Sequence, residues 1–161
     1  TMGWSALGGL PMGTRAGSVD PALVLTLART FGIDAAERML WHDCGLAGLS
    51  GISGDVRVLA ASPDPRARLA LALFARRTAQ AIAGLAATVD GIDALVFSGG
   101  IGTHAPSVRA AVCAGLGHLG IHLDDAANAA ARSRIDAGPV AVHVLDIDEQ
   151  ARMAREVLAL R

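Results

Sequence analysis

The residues of this chain best suited to chemistry fall in two glycine-bracketed stretches. In Met12-Gly13-Thr14-Arg15-Ala16-Gly17-Ser18-Val19-Asp20-Pro21, a single arginine sits between Gly13 and Gly17, just ahead of a helix start. A guanidinium offered from a compact turn presents five N–H donors in a fixed fork, which suits the oxygens of a phosphoryl group in transfer. A surface ion pair with Asp20 would use the same arginine with no chemistry. The second stretch, Phe97-Ser98-Gly99-Gly100-Ile101-Gly102, follows an apolar run and precedes another helix. Glycines there let a ligand approach the backbone, with amide N–H groups facing it. The stretch is not a P-loop, because no Lys-Ser or Lys-Thr follows at the required spacing, and it lacks the third spaced glycine of a dinucleotide fingerprint. A tight strand-to-helix turn is the plain alternative.

Weaker groups complete the inventory. Asp55 and Arg57 follow another glycine-rich run, Gly45 to Gly54, which reads as a flexible loop. They suit a ribose or base edge, or else a helix cap (Asp55) and solvent (Arg57). Asp146-Ile147-Asp148-Glu149 lies where an apolar run meets the last helix. Acidic residues there suit Mg²⁺ held through water and phosphates, or simple helix capping. His118 and His122 flank Gly120, which argues against a helical zinc pair, and His143 reads as a sheet-face residue. Cys44 and Cys113 stand far apart with no C-x-x-C partner and are expected as buried free thiols.

The elements that must hold these residues follow from periodicity and caps. Asp20-Pro21 pairs an N-cap with a first-turn proline and opens a helix to Thr30, with Leu23, Val24, Leu27 and Ala28 on one face. Asp34 to His42 reads as a second helix. Asp64-Pro65 opens the longest, to about Thr88, with Leu71, Phe74, Thr78, Ile82 and Leu85 close to the 3.6-residue period. Ile92 to Phe97 reads as a short buried strand and Val140 to Leu145 as a second strand. Pro106 to Ala114, Asp124 to Ala131 and Asp148 to Leu160 read as further helices. Strands alternating with about six helices make a helix-rich α/β domain whose sheet is short of strands.

Composition narrows the function classes. Fifteen acidic and 14 basic residues among 161 give a net charge of −1, without the basic excess that nucleic acid or a membrane surface demands. Three Phe, two Trp and no Tyr leave few platforms for stacking bases. No uninterrupted apolar run reaches the roughly 18 residues of a membrane span. The first residues lack the basic flank of a secretory signal, so a cytoplasmic location is expected by default.

Taken in order, these motifs resemble the C-terminal part of the acetate and propionate kinase family. Met12 to Pro21 is similar to its Met-Gly-Thr-Arg-x-Gly-x-x-Asp-Pro motif, and Thr1-Met2-Gly3 to the end of the segment before it. Gly45 to Ser53 resembles the family's Gly-Leu-x-Gly-x-Ser-Gly loop, Ala94 to Gly102 its strand and adenosine loop, and Cys113 to Asp124 its Cys-x-Gly-Leu-x-x-Leu-Gly-Ile-x-Leu-Asp run. The resemblance implies an actin-like, ribonuclease H-like ATPase lobe and phosphoryl transfer from ATP to acetate, giving ADP and acetyl phosphate. It implies Arg15 as the catalytic arginine, Asp55, Val56 and Arg57 with Gly100, Ile101, Gly102, Thr103 and His104 around the nucleotide, and Glu149 at Mg²⁺. A short-chain carboxylate as co-substrate and a homodimer are implied in the same way. Thr103 and Gln150 depart from the family, which commonly has Glu at both places. The resemblance also implies that residues 1–161 lack the N-terminal lobe and the first strands of the second, and are not a competent kinase alone. A propionate or butyrate enzyme and a non-catalytic nucleotide-binding or dimerising remnant are the competing readings.

Overall fold

A computed structural model of the chain describes residues 3–147 and 149–159. After an irregular glycine-rich segment come α1 (Pro21–Phe31), α2 (Ile33–His42), α3 (Gly45–Ser50), α4 (Val56–Ala61) and α5 (Pro65–Thr88). Then follow β1 (Ala94–Phe97), α6 (Gly99–His104), α7 (Pro106–Ala114), a 3₁₀ turn at Gly117–Leu119, α8 (Asp125–Ala129), β2 (Ala141–Val144) and α9 (Glu149–Ala159). Four helix starts carry aspartate caps, that of α4 at Asp55 among them. The carboxylates of Asp20, Asp64 and Asp124 accept the N–H groups of Ala22, Arg66 and Ala127 at 2.7, 2.8 and 2.8 Å. At two of them a first-turn proline supplies the helical φ in advance.

The helices beyond the six expected are α3, α4 and α6, each of 6 residues. The Gly45 to Gly54 run is therefore not one flexible loop. Leu46 is fully buried, and the Ser50 hydroxyl donates to the Leu46 carbonyl at 2.7 Å while accepting from Ile52 N–H at 3.1 Å. Burial and that side-chain bond override the poor helix propensity of glycine. The helix expected to reach Ala131 ends at Ala129, and Ala131 has φ of 46°.

The core forms around α5, but not on the residues its periodicity suggested. Ala67, Ala70, Ala75, Ala79 and Ala86 are buried; Leu71, Phe74 and Ile82 pack at the rim, and Leu85 is 57% exposed. Helices α3, α4 and α7 come so close to α5 that methyl groups fill the gap. At the end of α7, a Cβ on Gly115 would lie 3.2 Å from the Ala79 methyl. Helix α1 packs on α2 and buries none of its residues, so Leu23, Leu25 and Phe31 stay exposed.

β1 and β2 pair in parallel, Ala94 opposite Ala141 through Phe97 opposite Val144. Residues 133–136 run antiparallel along the other edge of β2, with Ile135 N–H donating to Val142 O at 2.9 Å and Val144 N–H to Ser133 O at 3.1 Å. Among the described residues β1 is paired along one edge only. Cys113 is buried, which pushes its thiol up to about 11, and Cys44 is half-buried. No helix among the described residues is long and apolar enough to cross a membrane.

Two outcomes follow. Ala79→Leu should cost about 1–3 kcal/mol by overpacking α5 against α7, while Leu85→Ala changes stability by less than about 0.5 kcal/mol. Equal shifts in the thermal midpoint would show that the alanine face is not the core. The Asp136 carboxylate accepts Arg134 Nε–H at 2.8 Å and Val142 N–H at 3.1 Å, which holds its pKa well below the usual carboxylate range. A depressed folded-state pKa adds stability above about pH 4, lost as pH falls further. Asp136→Asn should thus be less stable at pH 7 and lose less on acidification to about pH 3, as read from melting curves across that range.

Candidate functional site

Main-chain bonds hold the Arg15 loop between two helix ends. Ala16 N–H donates to Leu40 O at 3.0 Å near the end of α2, and Cys44 N–H to Thr14 O at 2.9 Å. At the start of α3, Leu46 and Ala47 donate to the carbonyls of Met12 and Gly13 at 2.9 and 2.8 Å. These use N–H groups that have no partner inside α3, so the helix start and the loop satisfy each other. Gly45 has φ of 61°, and a Cβ there would run into the Met12 carbonyl and lie 2.7 Å from the Arg15 carbonyl. Only glycine meets both demands.

The Arg15 guanidinium lies over the Trp41 ring, 5.8 Å from its centroid, a cation–π position. It forms no ion pair among the described residues, and Asp20 spends its carboxylate on the cap of α1. The surface pair with Asp20 is thus not what the structure contains. A half-buried arginine stacked on tryptophan and without a carboxylate can receive an anion.

Asp55 starts α4, accepting Arg57 N–H at 2.8 Å, and its carboxylate pairs with the Arg57 guanidinium at 2.6 Å. Those bonds hold the Asp55 carboxyl below its ordinary range and raise Arg57. Both side chains face solvent, and Val56 between them is in the core. The preceding Gly54 touches Gly13, where a Cβ on Gly54 would lie 2.7 Å from the Gly13 carbonyl, so the start of α4 adjoins the Arg15 loop.

At the end of β1 the glycines expected in a turn are themselves helical, as α6, with Gly99 at φ of 68°. Added Cβ atoms on Gly99 and Gly100 would meet nothing within 4 Å, so this backbone is open to a ligand. His104 is exposed, Ile101 packs against the core, and Thr103 Oγ1 donates to Leu145 O at 3.4 Å. Arg15 makes no hydrogen bond or ion pair with α6. A cavity of about 810 Å³ flanks the Arg15 loop between Leu10, Ala16, Cys44, Leu73 and Arg77; no residue of 55–57 or 100–104 lines it.

Two residues that sequence reading passed over stand behind α6. Arg109 of α7 is fully buried and donates from Nη1 to the carbonyls of Gly102 and Thr103, both at 2.8 Å. Its Nε and Nη2 donate to Asn128 Oδ1 and O at 2.8 and 2.7 Å, and Asn128 Nδ2 donates to Pro106 O at 3.0 Å. Burial pushes the guanidinium down from its ordinary value. The signal lay in the sequence: Arg109 shares a helix face with Val112 and Cys113, which are apolar. Glu149 begins α9, but its side chain, like all of Asp148, lies outside the described residues. Among the described residues no three His, Cys, Asp or Glu come together to hold a metal.

The family profile for the acetokinase family matches residues 1–155. The chain belongs to the acetokinase family. An acetate kinase of Nitrobacter hamburgensis is 42% identical over 165 residues, spanning 99% of this chain and 41% of that protein. The crystal structure of Porphyromonas gingivalis acetate kinase superposes with a TM-score of 0.91 at 30% identity, over 98% of this chain and 42% of that one. A propionate kinase from Francisella tularensis gives 0.90 at 32% identity, over 97% and 42%. The helix-rich α/β fold is therefore that of acetate and propionate kinases, and the chain spans about two fifths of the length of the acetokinases it matches.

The packing at Gly45 has a measurable consequence. Gly45→Ala should cost at least about 3 kcal/mol, from left-handed strain and the displaced Met12 to Arg15 backbone. Gly51→Ala, at a similar φ of 64° but with only the end of Arg66 nearby, should cost about 1 kcal/mol. Similar losses in thermal unfolding would mean that the loop does not bear on α3.

Proposed function

We propose that the protein transfers a phosphoryl group between ATP and a short-chain carboxylate, acetate first, giving ADP and the acyl phosphate. The observation that carries this reading is the 42% identity to an acetate kinase over 99% of the chain. On this reading the described residues supply the rear of one lobe, corresponding to the C-terminal part of the relatives, and residues beyond this chain supply the facing lobe and the carboxylate pocket.

The geometry supports the following division of labour. Arg15 is the group that neutralises charge on the transferring phosphoryl oxygens. Its guanidinium is unpaired, stacked on Trp41, and fixed at its backbone, so little reorganisation is needed when negative charge develops. The backbone of Gly100 to His104 lies against the nucleotide, an assignment supported by the open space at Gly99 and Gly100. Asp55 and Arg57 border the adenosine from solvent, the Arg57 fork first leaving its exposed pair with Asp55, which is held weakly in water. Val56 can reach a ligand only through its backbone. Glu149 at the start of α9, whose side chain lies outside the described residues, would hold Mg²⁺, which would supply charge neutralisation at the nucleotide phosphates. The homodimer belongs to the same reading.

In the full-length protein, Arg15→Ala should lower kcat by a factor of about 10²–10³, with the nucleotide KM moving by less than about threefold, because the contact forms mainly in the transition state. Steady-state kinetics in the acyl-phosphate-forming direction measure this. Near-full turnover would remove Arg15 from the chemistry.

A further inference from the structure

Helix α6 ends under an unusual constraint. Its last carbonyls need donors from the turn that follows, but the residue four beyond Gly102 is Pro106, which has no N–H. Ala105 N–H serves Ile101 O at 3.0 Å, leaving Gly102 and Thr103 to be satisfied from elsewhere. Arg109 meets both with one Nη1, at 2.8 Å each. The other side of the guanidinium is locked by Asn128, whose own amide is tied to Pro106 O at 3.0 Å. Among the described residues no carboxylate partners this buried cation; four carbonyl-type contacts take its place, and a cation at a helix C-terminus is favoured by the aligned peptide dipoles.

We propose that Arg109 is a positioning residue for the nucleotide: it fixes the backbone of Gly100 to His104 from behind, without touching the ligand. This rests on the reading above that this segment lies against the nucleotide. The alternative use of a buried Arg–Asn pair, general support of the fold, would affect every property together. The geometry instead aims the guanidinium at two carbonyls of the segment itself. Ile101 packs α6 against the core. The other side-chain bond of its last turn, Thr103 Oγ1 to Leu145 O, is a long 3.4 Å, so the fork is what fixes the carbonyls of Gly102 and Thr103. Lysine keeps the charge, but its single nitrogen has no fork and cannot hold both α6 and Asn128.

The test uses the full-length protein and Arg109→Lys. The expected result is a nucleotide KM and ADP dissociation constant raised about tenfold or more, with the carboxylate KM within twofold of the parent. In the parent, ADP should slow hydrogen exchange at residues 99–104, and the variant should lose that protection. Asn128→Ala, which removes the acceptor of Nε and the Nδ2 bond to Pro106 O but leaves Nη1 on α6, should give the same selective change at about threefold, and it carries the test if Arg109→Lys fails to fold. An unchanged nucleotide KM, or equal changes for both substrates, overturns the positioning role while leaving the proposed function intact. Absence of ADP protection at 99–104 in the parent overturns the nucleotide reading of α6 and this role with it.

Discussion

A full positive charge buried without a carboxylate is the constraint around which the second half of the chain is arranged. An isolated buried ion is too costly to keep unless every polar direction around it is answered. Arg109 is answered by the end of α6 on one side and by Asn128 of α8 on the other. Three elements separated in sequence are thereby held in one relation, and because these acceptors are mainly backbone carbonyls, the relation is of backbone to backbone. That is a stiffer arrangement than a pair of long side chains would give. It also places the cation behind the open Gly99-Gly100 backbone rather than in it.

The first half of the chain reaches a similar end with almost no charge. The Arg15 loop is seated by main-chain bonds to α2 and α3 and by near-contact of Gly13 with Gly54. Glycine is used there for close approach more than for flexibility. The consequence is a guanidinium whose anchor is rigid and whose charge is uncommitted, resting on Trp41. Asp55 and Arg57 show the opposite economy, since each is already satisfied by the other at the surface. Between the two halves runs α5, whose alanines set helix spacing by absence of bulk.

Much of this was legible in the residues. Asp-Pro pairs at 20–21 and 64–65 marked helix starts because cap and proline act locally. Both strands were visible as apolar runs, although β1, read as buried, has no buried residue and is paired along one edge only among the described residues. The family motifs led to the fold, which the acetate and propionate kinases share. What failed was judged by local rules. Glycine content at 45–54 argued for a loop, yet burial of Leu46 and the Ser50 hydroxyl made the first six residues helical. The period of the large residues on α5 points to a core face on their side, but neighbouring helices approach along the alanines, a choice made by partners far along the chain.

The sequence by itself determined the helix caps, the two strands, the family, and the position of a lone arginine between glycines. These depend on residue type, spacing and bonds within a few residues. Only the tertiary structure decided that Arg15 rests on Trp41 without a counter-ion, that Asp55 and Arg57 spend themselves on each other, and that Arg109 braces α6. Each of those is a matter of which donor meets which acceptor across the fold. Arg109 and Asn128 are 19 residues apart, and only the packed α7–α8 pair brings them within 2.8 Å.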